Sequence, residues 1–288
     1  MTDPAVLHPA VLTWFEAHAR DLPWRRPERT PWGVLVSEVM LQQTPVARVL
    51  PVWEEWLRRW PRPADLAAEP AGEAVRAWGR LGYPRRALRL HTAAGVITER
   101  HDGQVPRDPA QLLGLPGVGA YTAAAVGAFA FGTREAVLDT NVRRVLSRAL
   151  GGQEQPGPSP TVAETVRARA ALPPERDRAA RWNAAVMELG ALVCTARSPA
   201  CDRCPVSGHC AWLASGRPAH EGPPRRGQAW NGTDRQCRGS LLARLREAPG
   251  PVPAPQLAGA WPDPDQRARC LAGLVADGLV ETGPSGYG

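Results

Sequence analysis

The sequence predicts an all-α fold for roughly its first 213 residues, followed by a linker and a small helix-and-hairpin module. Three observations carry that expectation. Apolar residues recur at three- and four-residue spacing, which gives a helix one buried face. Alternating, strand-like runs are scarce. Prolines stand at the joints (Pro23, Pro31, Pro61, Pro63, Pro106, Pro109, Pro116), where they start or end helices.

In chain order, Val11-Leu12-Trp14-Phe15 opens the helical pattern, and Trp32 to Leu41 is a nearly continuous apolar run. That run carries one carboxylate, Glu38, and an unpaired buried charge costs several kcal/mol, so Glu38 needs a partner or a task. Amphipathic stretches follow at Val49-Leu50-Val52-Trp53-Trp56-Leu57, Val75-Trp78-Leu81 and Leu88-Leu90-Ala93-Val96-Ile97. Gly151 to Pro160 reads as a surface loop between helices. Residues 214–230 are rich in Pro, Gly and Arg and read as a linker. Beyond it, helices are expected over Arg238–Glu247, Ala254–Trp261 and Asp265–Asp277, then a strand and turn from Gly278 to Gly283. This order fits a small winged-helix-like module over residues 231–288.

A chain of 288 residues with 43% hydrophobic content can build two domains and a small third. No stretch is long and apolar enough to span a membrane. The N-terminus lacks the charged and apolar regions of a secretory signal, so the expected compartment is the cytoplasm. The formal charge is +7 and the pI near 9.7, which favours a polyanionic partner such as nucleic acid. The sequence contains no lysine, so all 35 basic residues are arginines. That composition excludes Schiff-base catalysis by an ε-amine but leaves guanidinium forks for phosphate.

Three motifs carry chemistry. Cys194-x6-Cys201-x2-Cys204-x5-Cys210 sets four thiols in a short loop after a helix ending Met187 to Val193. In a cytosolic chain such a cluster points to metal rather than disulfides. Four thiolates suit an iron–sulfur cluster or tetrahedral zinc, and the unequal gaps around one CxxC favour the cluster. Leu115-Pro116-Gly117-Val118-Gly119 reads as a tight turn between two helices. Either it is only a turn, or its glycines let a phosphate approach the amides at the next helix's positive end; the basic chain favours phosphate. In Val137-Leu138-Asp139-Thr140-Asn141-Val142, Asp139 precedes a helix and reads as an N-cap, a role compatible with catalysis. Two carboxylates in unlike settings, Glu38 and Asp139, could divide acid and charge-stabilising roles.

Together these residues resemble the helix-hairpin-helix DNA glycosylases, and most closely the adenine DNA glycosylase family of the MutY type. The resemblance runs from about Trp14 to Trp212. It rests on Leu22-Pro23-Trp24-Arg25, Ser37-Glu38-Val39-Met40-Leu41-Gln42-Gln43-Thr44, Gly79-Arg80-Leu81-Gly82-Tyr83, the Gly-Val-Gly turn, the Asp139 segment and the four cysteines. It implies a two-lobed α fold. Residues 28–132 would form a six-helix barrel domain with the hairpin, and residues 1–27 with 133–213 a lobe holding a 4Fe–4S cluster on Cys194, Cys201, Cys204 and Cys210. DNA would lie in the groove between lobes, with an adenine flipped from the stack.

The resemblance assigns roles residue by residue. Glu38 matches the general acid that protonates adenine N7, and Asp139 the carboxylate facing the oxocarbenium-like sugar. Tyr121 and Asn141 match residues assisting Asp139. Gln42, Gln43 and Tyr83 match the DNA-contacting stretch, with Gln43 and Tyr83 wedging beside the opposing base. Leu115, Gly117, Val118 and Gly119 match the phosphate-binding hairpin, and Arg25 a pocket residue. The related endonuclease III carries a lysine nucleophile where this chain has Tyr121, so the resemblance implies a monofunctional enzyme. Its substrate would be double-stranded DNA with A:8-oxoguanine or A:G mispairs, acted on by a nucleoid-associated monomer. A thymine (T:G) mismatch glycosylase and a non-catalytic iron–sulfur DNA-binding regulator are the alternatives.

The family usually continues into a larger Nudix-like domain, where this chain has the small module. Arg225, Arg226, Arg235 and Arg238 suggest that this tail faces DNA. Cys237 and Cys270 have no evident partner in the sequence.

Overall fold

The structure, a computed structural model, describes residues 3–220, 222 and 230–288. Its α-helices are α1 (His8–His18), α2 (Pro31–Leu41), α3 (Val46–Arg59), α4 (Pro63–Ala67), α5 (Ala71–Trp78), α6 (Arg85–Arg100), α7 (Pro109–Leu113), α8 (Ala120–Phe131), α9 (Thr140–Ala149), α10 (Val162–Ala170), α11 (Arg176–Leu192), α12 (Ala211–Ala214), α13 (Asp234–Glu247) and α14 (Pro264–Ala276). A single antiparallel pair, β1 (Thr282–Gly283) and β2 (Gly286–Tyr287), is the sheet among the described residues. The expected all-α class is observed. The helix starts follow the local chemistry. Proline stands at the first turn of α1, α4, α7 and α14, where its missing N–H costs nothing, and Asp or Thr side chains cap α7, α9, α10, α13 and α14.

The contacts divide the chain into two compact units: Met1–Glu38 with Pro106–Gly114 and Val118–Pro223, and Val39–Val105 with Leu115–Gly117 and Pro224–Gly288. This division differs from one cut at residues 27 and 132. The reason is local to the first unit: α8 packs Ala125 and Ala128 with Val137, alongside Met187 of α11. The main core of that unit joins Leu7, Val11 and Leu12 to Val142, Val145 and Leu146 of α9, and to Trp182, Val186 and Leu189 of α11.

In the second unit, three buried tryptophans form an edge-to-face set, Trp56 with Trp60 at 4.7 Å and with Trp78 at 5.7 Å. Its α6 turns Arg86, Ala87, Leu90, Ala93, Ala94 and Ile97 inward.

The C-terminal segment belongs to the second unit. Its first helix begins four residues before the expected Arg238, because the Thr233 hydroxyl accepts the Gln236 amide at 3.3 Å and caps the helix there. Ala254–Ala260 is a 3-10 helix rather than an α-helix, in a stretch holding Pro255 and Gly259. The expected strand shortens to two residues, and Val252 bridges Tyr287 beside it. Cys237 and Cys270, both buried, face each other across α13 and α14; burial and then the Cys270 thiol push Cys237 up to about 12. Arg76 donates to the carbonyls of Leu245 and Arg246, and Asp277 pairs with Arg85 and Arg238, so the segment is docked on α5 and α6. Arg225 and Arg226, with residues 221 and 223–229 of the expected linker, lie outside the described residues. Among those described, no helix is long and apolar enough to cross a membrane.

Candidate active site and cluster-binding loop

Glu38 opens the last turn of α2, only 5% exposed, beside the buried Val34, Leu35 and Val39. The Tyr121 hydroxyl, one residue into α8, donates to Glu38 Oε2 at 2.9 Å. Burial pushes the Glu38 carboxyl up to about 7, and the charge of Asp139 pushes the same way. The phenol hydrogen bond and Arg25 oppose them without prevailing. The result is a carboxyl that both holds and releases its proton near neutrality. Tyr121 itself stays a phenol: burial, then the negative charges of Glu38 and Asp139, raise its pKa well above the usual value.

Asp139 caps α9. One carboxylate oxygen accepts the Val142 amide at 2.6 Å and the other the Asn141 side-chain amide at 2.8 Å. Burial raises its pKa above the usual value, a rise that these donors and Arg144 offset only in part. Asn141 is fixed in turn, since its Oδ1 accepts from Arg144 at 2.7 Å. The same guanidinium donates to the carbonyls of Gly190 and Cys194, both at 2.7 Å. A side chain at Gly190 would meet Asn141 at 2.7 Å, so only glycine lets α11 approach the start of α9 this closely.

Arg25 lies within electrostatic reach of Glu38, but its hydrogen bond goes elsewhere, to Glu188 Oε2 at 3.0 Å. Glu188 is fully buried and also takes two donors from the Arg20 side chain, at 2.7 and 2.8 Å. Burial alone would raise its pKa, yet the Arg20 hydrogen bonds and the Arg25 charge outweigh it and bring Glu188 down to about 2. Neither Arg20 nor Glu188 was singled out from the sequence. The available signal was a glutamate in the apolar phase of α11, the same signal that marked Glu38.

The expected metal loop follows α11 directly. Cys194, Cys201, Cys204 and Cys210 are all half-buried. Burial pushes Cys204 up to about 11, with smaller contributions from Cys194, Cys210 and Cys201, so the four thiols share one electrostatic neighbourhood. Among the described residues, no three His, Cys, Asp or Glu side chains converge on a single ion. Four thiols in one loop, close enough to act on one another, form a donor set that fits an iron–sulfur cluster. Arg148, buried between α9 and the loop, donates to Cys194 Sγ at 3.4 Å and to the Thr195 carbonyl at 2.7 Å.

The expected DNA-contacting residues occupy strained turns of the second unit. α2 ends at Leu41, so Gln42 and Gln43 form the turn after the helix. Gln43 and Tyr83 are two of only four non-glycine residues with positive φ among those described, at 56° and 49°. Such backbone costs about 1–3 kcal/mol and persists where the surroundings enforce it. The enforcing residue is Arg86, which no local feature of the sequence marks out. It donates to the carbonyls of Val39, Met40, Gln42 and Gly82 and to the Thr44 hydroxyl, at 2.6–3.2 Å. Burial brings its pKa down to about 10.

In the Gly-Val-Gly turn, Gly117 has φ +81° and a side chain there would strike Arg89 at 2.9 Å. Gly119 is extended, with open space where a side chain would be, and α8 starts there without a side-chain cap. Leu115 and Val118 are buried, so only their backbone could meet a phosphate.

With this geometry in view, the comparisons are specific. Residues 36–169 match the HhH-GPD superfamily of base excision DNA repair proteins, and residues 194–210 match the iron–sulfur binding domain of endonuclease III. The chain is 52% identical over 271 residues to the adenine DNA glycosylase of Mycobacterium tuberculosis, across 94% of this chain and 88% of that one. The chain belongs to the adenine DNA glycosylase family. Among solved structures it resembles a thermostable thymine-DNA glycosylase with a TM-score of 0.67 and 30% identity, covering 74% of this chain and 97% of that one. It shares its fold with endonuclease III in a non-covalent DNA complex, with a TM-score of 0.62 at 24% identity, over 75% and 99% of the two chains. A family member with this loop is an iron–sulfur protein, and its cofactor is a 4Fe–4S cluster.

Proposed function

We propose that this protein is a monofunctional glycosylase that removes adenine from A:8-oxoguanine and A:G mispairs in double-stranded DNA. The observation that carries this reading is the buried Glu38 carboxyl, poised to about 7, bonded to Tyr121 and close enough to feel Asp139. Glu38 gives its proton to adenine N7, and the C1′–N9 electron pair leaves with the base. Asp139, held by Val142 and Asn141, faces the positive sugar as an anion. Water then adds at C1′, leaving an abasic site and free adenine, and Glu38 takes its proton back from solvent. With no lysine in the chain, no imine forms with the sugar and no β-elimination follows.

Cys194, Cys201, Cys204 and Cys210 would hold the cluster, which supplies iron–thiolate bonds that cross-link this loop. Gln43 and Tyr83 serve as wedges beside the opposing base. Gly117 and Gly119 bring backbone amides to a phosphate, while residues 231–288 form a winged-helix-like module. The enzyme acts as a monomer at the nucleoid.

The test is single-turnover reaction of the cluster-loaded protein with duplexes holding one A:8-oxoguanine, A:G or T:G pair. Strand breaks at adenine that appear only after alkali are expected. Breaks without alkali would refute the monofunctional step, cleavage at T:G would favour thymine excision, and an intact adenine would overturn the activity.

A further inference from the structure

An alternating stack of rings and guanidinium groups runs outward from the core of the second unit. The Arg86 guanidinium lies 5.3 Å from the centre of the buried Trp78 ring and 5.4 Å from that of Tyr83. Tyr83 then meets Arg235 at 5.0 Å, and Arg235 meets Trp230 at 5.5 Å. Trp78 and Arg86 are buried, whereas Tyr83 is 45% and Trp230 51% exposed, so the stack begins in the core and ends at the surface.

Its outer half comes from the C-terminal segment and is fixed there. The Thr233 hydroxyl donates to the Trp230 carbonyl at 2.7 Å, and the Gly232 amide to Gln236 at 2.8 Å. Gln266 of α14 donates to the Gly232 carbonyl at 3.0 Å. Below, Asp277 pairs with both Arg85 and Arg238 and holds α14 and α13 against α6. Two large rings left half in solvent, with a cation between them, have the composition of a single-strand stacking platform: flat faces for bases and a charge for the phosphate between.

We infer that Trp230 and Arg235 extend Tyr83 into a nucleic-acid contact surface, on which the C-terminal segment stacks an unpaired base of the DNA strand opposite the excised adenine. This rests on Tyr83 acting as a wedge in the proposed function. A protein partner would use the same rings but would leave DNA binding indifferent to them.

Equilibrium binding of the full-length, cluster-loaded protein tests the inference independently of excision. The probes are a duplex with a single bulged guanine, a duplex with a non-cleavable fluorinated adenine opposite guanine, and a fully paired duplex. Trp230→Ala and Arg235→Gln should each weaken the first two about tenfold and the paired duplex less than threefold. Trp230→Phe should keep most of the affinity, while Arg235→Lys, which keeps the charge and loses the plane, should recover only part of it.

Equal losses on all three duplexes, with full recovery by Arg235→Lys, would reduce the contact to a phosphate charge and overturn the stacking role. Unchanged affinity in every variant would overturn the surface altogether. Should Trp230→Ala misfold, Trp230→Phe and Arg235→Lys still decide. A parent protein that fails to excise adenine yet shows these binding differences would defeat the proposed function and leave the surface standing.

Discussion

Glu38 on α2 and Glu188 on α11 are both glutamates buried in apolar helix faces, and they end in opposite states. Glu188 has two guanidinium partners, and its pKa falls to about 2. Glu38 has a phenol and a neighbouring carboxylate, and its pKa rises to about 7. Burial acts on both in the same direction. What differs is whether the partners can supply a full opposite charge. Glu188 is therefore a permanent anion that ties the N-terminal segment to α11, while Glu38 remains a titrating group.

The largest expected effect concerns Glu38. Glu38→Gln should lower single-turnover excision about 10³-fold with duplex affinity kept within about threefold. A loss below tenfold would remove Glu38 from the acid role. Because the folded pKa lies above the ordinary 4.5, Glu38 favours the folded state fully only below pH 4.5, and that contribution is lost as pH rises through about 7. Glu38→Gln should therefore be the more stable protein above pH 7, by about 3 kcal/mol. Denaturant melts at pH 5 and pH 8 check the sign.

Glu188→Gln should do the reverse, costing about 3 kcal/mol at neutral pH because it strands two half-buried guanidinium charges. With its folded pKa depressed, Glu188 stabilises above pH 4.5, and the contribution is lost as pH falls towards about 2. The penalty of the substitution should thus shrink in acid melts. If Arg25, once released, turns to Glu38, the alkaline limb of the excision rate, expected near pH 7, will also move down. An unmoved limb would show that Arg25 keeps its place without Glu188.

A smaller change tests the phenol. Tyr121→Phe removes a donor that favours the Glu38 anion, so the alkaline limb should rise by about one pH unit. A fall would mean that the phenol stabilises the protonated carboxyl. Smallest of all, Arg25→Met removes an opposing charge and should raise the limb by a few tenths of a unit. It should also cost about 1 kcal/mol through the weakened Glu188 pair.

Much of the candidate site was legible because its residue types are improbable where they stand. A carboxylate in an apolar helix, an aspartate before a helix, four cysteines in one short loop and a glycine-flanked turn all announce themselves in one dimension. The positioning residues did not. Arg86 occupies the buried phase of α6 but is one arginine among 35, and nothing local says that it gathers five acceptors from two separated turns. Arg20 and Arg144 were hidden for the same reason. Their partners lie far along the chain or on the facing helix, and a guanidinium that binds carbonyls looks like one that faces water. The stop of α2 at Leu41 is equally hidden, because helix propensity does not see the left-handed backbone of Gln43.

The sequence by itself determined the helical class, the family and the chemical types at the site, since hydrophobic period, caps and ligand spacing are local properties. Tertiary structure alone decided which carboxyl keeps a proton, because a buried pKa is set by the charges brought beside it. It also paired Cys237 with Cys270, and it carried Arg235 of the C-terminal segment, with Trp230 against it, to the half-exposed Tyr83 ring. Each of those outcomes depends on distances between residues that the linear chain holds apart.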